Sequence, residues 1–277
     1  MSEYNFLGYE VRNRIAYIEL RRPEVLNAFN NQMDAEIRDA LLRFDLDDEA
    51  WVAILHGAGK AFCAGADLKS YTAFNVDKPE SDRKALELEA LRKGDTFGSM
   101  HLRGTGGEGY LGRTVNYKPV IGAVHGFCLG GAAHLAAECD LLVVSDDTRY
   151  AITETTRGMS GSRTWYKMRT FMPSKVGTEL LITGRQATGE ELFRYGLANR
   201  LAENGKHVEE AEALALQILK APPLAVRDGV RVSRKLWVNG ATDLDAQMQL
   251  TRLDLSEDYR EAGRAFAEKR APEFKAR

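Results

Sequence analysis

The feature that most constrains this chain is the stretch from Pro119 to Asp146, where two apolar runs enclose a helix that opens on paired glycines. PVIGAVHG reads as a buried strand, LGGAAHLAAECD as a helix of small residues, and DLLVVSD as another strand. Strand, helix, strand with little polar interruption is the pattern of α/β layering. The same order occurs earlier. Val11 to Leu20, with Ile15, Tyr17 and Ile18, reads as a strand ending at Arg22-Pro23. Asn30 or Asn31 is placed to cap a helix whose Ile37, Leu41 and Phe44 fall at helical spacing. WVAIL at 51–55 follows, and leads into the glycine-rich HGAGKAFCAGADL.

Residues 72–118 are polar and charged, with GTGGEG at 104–109, and are expected to form a loop or lid. From Ser174 onward helical signals dominate: SKVGTELLITG, a capping box of Thr188 and Glu191 before LFRYGLA, runs at 207–220 and 223–237, and SEDYREAGRAFAEKR stopping before Pro272. The expected division is a core over 1–200 that carries the site and a helical region over 201–277.

With 38 Lys and Arg against 40 Asp and Glu in 277 residues, the net charge is −2. No global field draws in nucleic acid or an anionic membrane, so an anionic ligand has to be held locally. No run approaches the ~18 apolar residues of a spanning helix, and the N-terminus lacks a signal-peptide pattern, so a cytoplasmic location is expected. Cys63, Cys128 and Cys139 form no CxxC or CxxH pair, which points to buried thiols and to no metal site.

Three stretches can carry chemistry. Ala64-Gly65-Ala66-Asp67-Leu68 puts small residues at a strand end, where a backbone N–H can be aimed at a ligand oxygen; a plain glycine turn accounts for it equally. In Gly126 to His134 a strand runs into Gly-Gly and a helix, leaving first-turn N–H groups unpaired at the positive end of the dipole; close packing of the helix is the competing explanation. It is neither a dinucleotide fingerprint nor a phosphate loop. In Tyr150-Ala151-Ile152-Thr153-Glu154 a carboxylate follows a strand among uncharged residues, where partial burial suits proton transfer. Alternatively, Glu154 is solvated or paired with Arg157 or Arg163.

Together these stretches resemble the enoyl-CoA hydratase/isomerase (crotonase) family. ELRRPEVLNAF, AFCAGADLK, KPVIGAVHGFCLGGAAHLAAECDLLVVSDDTRYAITE and EAGRAFAEKRAPEFKAR are similar, in order, to its early Asn-Ala segment, first oxyanion loop, central block and terminal helix. The resemblance implies a crotonase-like spiral of ββα units with a C-terminal helical trimerisation region. It also implies assembly as a trimer or dimer of trimers, and an acyl-CoA thioester as substrate, coenzyme A being part of that substrate and no other cofactor or metal being required. By the same resemblance the N–H groups of Ala66 and Gly131 form an oxyanion hole. Val25, Ala64, Asp67 and Leu68, with Lys69 nearby, follow the coenzyme A path, and Lys269 matches a lysine that reaches the phosphates, often from a neighbouring subunit.

The sequence departs from the family at two places. Hydratases of the family use two glutamates; Glu154 matches the second, but the first position holds His134, which either orients water or the acyl group or fills space. Around Gly158–Tyr166, Trp165 and Tyr166 are candidates to shape the acyl pocket, and Arg163 to pair with a second substrate carboxylate; packing and solvation of the next helix explain them as well. The resulting expectation is hydration of a 2-enoyl-CoA with Glu154 as acid and base and His134 positioning the water. Double-bond isomerisation by Glu154 alone, retro-Claisen hydrolysis of a diketone, and acyl-CoA binding without turnover are the alternatives.

Overall fold

The structure, a computed structural model, describes residues 4–67, 110–111, 114–235 and 256–275. The loop expected over 72–118 lies largely outside the described residues.

Strands leave one sheet and enter another in pairs. A six-stranded sheet has the order β1 (Leu7–Arg12), β2 (Ile15–Leu20), β3 (Val52–Gly57), β5 (Val120–Val124), β7 (Leu141–Ser145), β10 (Arg200–Ala202). A second sheet runs β4 (Ala61–Cys63), β6 (Phe127–Leu129), β8 (Arg149–Ala151), β9 (Ala187–Thr188). Each of β3–β4, β5–β6 and β7–β8 places its first strand in the larger sheet and its second in the smaller one. Helices α1 (Asn31–Leu46), α2 (Gly131–Glu138) and α3 (Ser162–Met168) follow β2, β6 and β8. Then come α4 (Ser174–Thr183), α5 (Gly189–Arg194), α6 (His207–Ile218), a helical run over 223–235, and α7 (Glu257–Glu268). This is the α/β arrangement the sequence pattern predicts.

Both faces of the larger sheet are covered, and the period of two along each strand explains how. Ile15 and Tyr17, Val52 and Ile54, and Ile121 and Ala123 point to one side, where they meet Ala211 and Ala215 of α6. The alternate residues Ala16, Ile18, Leu20, Ala53, Leu55 and Val124 join the main core with Met33, Ile37, Leu41 and Phe44 of α1. The Asn30 side chain caps α1 by accepting from the Met33 N–H at 2.8 Å, and Thr188 with Glu191 forms the anticipated capping box. The three cysteines are buried free thiols.

One expectation fails locally. Val11 to Leu20 is not one strand but a hairpin, because Asn13 and Arg14 both take positive φ (51° and 65°) and turn the chain back, as a tight two-residue loop requires. The pair Asn-Arg lacks the glycine that signals such a turn in sequence.

The segment after β2 is anchored by Asn27, which is fully buried. Its Nδ2 donates to the carbonyls of Ala58 and Ala61, both at 2.8 Å, and of Phe62 at 3.2 Å, while Oδ1 accepts from the Arg22 N–H at 2.8 Å. One amide thereby ties residues 22–29 to the turn before β4 and to the start of that strand. Asn27→Ala leaves these buried groups unpaired, and we expect a loss of about 3 kcal/mol in unfolding free energy, read from urea denaturation.

Candidate active site

The parallel pairing of β4 with β6 and of β6 with β8 brings the ends of three strands together. Beyond β4, Phe29 bridges Ala66: the Phe29 N–H donates to the Gly65 carbonyl and the Asp67 N–H to the Phe29 carbonyl, each at 2.8 Å. In a parallel bridge of this kind the flanking residues supply both bonds, so the Ala66 N–H is left over. Among the described residues it has no hydrogen-bond partner.

Beyond β6, Gly130 adopts φ 55°, ψ −120°, a conformation open to glycine, and α2 starts at Gly131. The first helical bond runs from the His134 N–H to the Gly130 carbonyl at 3.1 Å. The Gly131 N–H precedes it and likewise lacks a partner among the described residues. The two turns are neighbours. A Cβ on Gly65 would stand 2.4 Å from the Leu129 carbonyl oxygen and 3.6 Å from the Gly131 nitrogen, so only glycine, here at φ 87°, lets them approach this closely.

Glu154 follows β8 and reaches the same place. A Cβ on Gly130 would lie 3.3 Å from Glu154 Oε1. Glu154 Oε2 is buried and has no hydrogen-bond partner among the described residues. Burial raises its carboxyl above the ordinary carboxylate range, and nearby backbone N–H groups and the Arg157 guanidinium offset that only in part.

His134 lies one turn into α2, on the same side as Gly131. Its Nε2 is 2.9 Å from Oε1 of Glu138, whose side chain is 1% exposed and which also takes Lys167 Nζ at 2.9 Å. Glu138 Oε2 accepts from the Leu111 N–H at 3.2 Å. Burial opposes ionisation of Glu138, but Lys167 and His134 outweigh it and hold the carboxyl well below its ordinary value. Neither Glu138 nor Lys167 was singled out from the sequence. The available signal was a lone carboxylate four residues after His134 on a helix otherwise built of Ala, Leu and Gly.

Val25, Ala64 and Asp67 come together. The Ala64 N–H donates to the Leu26 carbonyl at 2.9 Å, and Asp67 pairs with Arg22 at 3.3 Å, beside the exposed Val25. Leu68 and Lys69 lie outside the described residues. Trp165 is turned onto α4, its indole N–H donating to Thr178 at 3.1 Å, and the Arg169 guanidinium stands 4.5 Å over the Tyr166 ring. Arg163 shares α3 with them. Lys269 is exposed at the C-terminal end of α7, a helix that packs on the turn after Glu154: the Arg157 guanidinium lies 5.3 Å from the Phe266 ring centre.

Residues 10–95 and 100–277 match the family model described as enoyl-CoA hydratase/isomerase. The chain is 29% identical over 275 residues to (E)-benzylidenesuccinyl-CoA hydratase of Thauera aromatica, covering 96% of this chain and 97% of that protein. It is 32% identical over 280 residues to a probable enoyl-CoA hydratase of Rhizobium meliloti, covering 99% of each. Among solved structures, carnitinyl-CoA hydratase from Mycobacterium avium matches with a TM-score of 0.78 at 32% identity and 100% coverage of both chains.

The raised Glu154 carboxyl has a consequence for stability. A carboxyl with a higher pKa in the folded than in the unfolded chain favours the fold at low pH, and that contribution is lost as pH rises through the folded value. Glu154→Gln removes the charge that burial penalises. In urea titrations the variant is expected to exceed the parent protein in stability at about pH 8, with the difference closing at about pH 4, below the ordinary carboxylate value.

Proposed function

The chain belongs to the enoyl-CoA hydratase/isomerase family, and we infer that it adds water across the double bond of a 2-enoyl-CoA thioester. The observation that carries this reading is the meeting of the Glu154 carboxylate, whose Oε1 lies against the Gly130 turn and whose buried Oε2 has no partner among the described residues, with two backbone N–H groups that likewise have none there.

The thioester carbonyl oxygen accepts from the N–H groups of Ala66 and Gly131. Negative charge gathers on that oxygen as water attacks C3 and the double-bond electrons move toward the carbonyl. Fixed donors favour the charged state over the ground state and so lower the barrier itself. Glu154 takes a proton from the water and delivers one to C2, so that one water is added in full. A carboxyl whose burial brings its two protonation states closer in energy suits a group that both gives and takes. His134 holds the water. Relatives named for benzylidenesuccinyl-CoA and carnitinyl-CoA support a thioester substrate and leave the acyl group to be determined by assay.

In this reading Val25, Ala64 and Asp67, with Leu68 and Lys69, follow the coenzyme A chain. Lys269 offers a cation to the phosphates of a neighbouring copy in a trimer or dimer of trimers, a state that sedimentation velocity measures. Among the described residues no helix is long and apolar enough to cross a membrane.

A panel of 2-enoyl-CoA thioesters is expected to gain 18 mass units on incubation with the enzyme and to lose the absorbance of the conjugated thioester. Exchange of deuterium into carbon without mass gain would assign isomerisation instead. Glu154→Gln is expected to lower kcat by about 10³-fold.

Gly131 allows the oxyanion donor to be tested within the fold, because proline is tolerated at the first position of a helix and puts a ring methylene where the N–H was. A Cβ there meets the Phe29 ring at an ordinary 3.6 Å. Gly131→Pro is expected to fall about 10²- to 10³-fold below Gly131→Ala in kcat. Equal rates would remove this amide from the mechanism.

A further inference from the structure

We propose that Glu138 is a positioning residue for His134: its carboxylate takes the Nε2 edge of the imidazole and leaves Nδ1 as the hydrogen-bond acceptor for the water or acyl group at the Gly131 turn. The proposal deepens the hydratase reading and rests on it, since it gives a role to the histidine standing where hydratases of the family use a glutamate.

Three observations carry it. The ring nitrogen facing Glu138 is fixed by geometry, with Nε2 at 2.9 Å from Oε1. The other nitrogen, Nδ1, is buried and without a partner among the described residues. A buried polar atom in that state is costly unless something arrives to satisfy it, and the residue one turn ahead of His134 is Gly131.

The third observation is Lys167. A carboxylate as enclosed as Glu138 requires compensating charge, and α3 supplies it with Nζ at 2.9 Å from the same oxygen. With the ammonium balancing the carboxylate, His134 need only donate a proton from Nε2, and a neutral ring keeps a lone pair on Nδ1. Oε1 lies 2.9 Å from both Nε2 and Nζ, at hydrogen-bond angles to neither, so proximity and charge rather than a directed bond set which edge of the ring faces Glu138.

A histidine in this setting replaces the acceptor function of a carboxylate without adding a second negative charge beside Glu154. That distinction separates positioning from mere packing, because it fixes which nitrogen bears the proton.

The test has a spectroscopic and a kinetic arm, both on the full chain. Long-range proton–nitrogen correlation spectra of protein labelled with ¹⁵N-histidine identify the protonated nitrogen of His134, assigned by comparison with His134→Gln. The proton is expected on Nε2. In Glu138→Gln the amide oxygen is drawn to Lys167 and its NH2 faces the ring, so the proton is expected to move to Nδ1. This arm needs no substrate and stands apart from the hydration reading.

In the kinetic arm, Glu138→Gln and His134→Gln are each expected to lower kcat about 10- to 100-fold with KM within about 3-fold. The double variant is expected to be no slower than the slower single one, because both changes remove the same interaction. Glu138→Asp is expected to recover part of the loss.

Protonation on Nδ1 in the parent protein overturns the proposal. So do a kcat unchanged in folded Glu138→Gln, or losses that multiply in the double variant. Should Glu138→Gln fail to fold, the parent spectrum and the Lys167→Met variant decide. Lys167→Met removes only the ammonium from the shared oxygen, so the proton is expected to stay on Nε2 in that variant, and a proton on Nδ1 there overturns the proposal.

Discussion

The pairing of Phe29 with the residues on either side of Ala66 is the contact on which the site depends. Two 2.8 Å bonds hold Gly65 and Asp67 and leave the amide between them without a partner among the described residues. A parallel bridge confined to one residue is a means of presenting an N–H at a strand end without leaving the strand unsupported. Asn27 holds the other side of the same segment, tying it to Ala58, Ala61 and Phe62. In the proposed mechanism this N–H is thereby held in place before any ligand arrives, which is the condition under which a backbone dipole acts most strongly on a developing charge.

The two-sheet arrangement explains why the proposed second donor and the carboxylate come from distant parts of the chain to neighbouring strand ends. Three successive strands of the smaller sheet, β4, β6 and β8, run parallel, so their ends lie side by side. Each is followed by a different device: a bridged loop, a glycine turn into a helix, and a carboxylate. The close approach between Gly65 and Leu129 leaves no room for a side chain, and the Gly130 turn lies against the Glu154 carboxylate. Glycine at these positions is a steric requirement of strands that converge, with chemistry as its by-product.

Much of this was legible in the sequence, and the reasons differ by residue. Asn30 and the Thr188–Glu191 pair are local signals whose meaning needs no tertiary context, and both caps formed as expected. The β5–α2–β7 block was legible because its strands are buried on both faces and read as continuous apolar runs. The hairpin at Asn13-Arg14 was hidden because its turn uses positive φ at residues other than glycine. Ala66, Gly131 and Glu154 were singled out by motif, but that Glu154 meets the Gly130 turn depends on strand pairing that no local pattern encodes. Glu138 was overlooked since a single carboxylate on a helix ordinarily faces water. Only the packing of α3 against α2 reveals that Lys167 keeps it company in the interior.

The central claim, that two backbone amides polarise one thioester carbonyl, is tested most directly by infrared difference spectroscopy on a bound saturated acyl-CoA labelled with ¹³C at its carbonyl carbon. Such a thioester has no double bond to react and reports the ground-state field alone. The account predicts that the carbonyl band moves to lower frequency on binding and moves back toward its solution position in Gly131→Pro. A band that stays at its solution frequency in the saturated complex contradicts it.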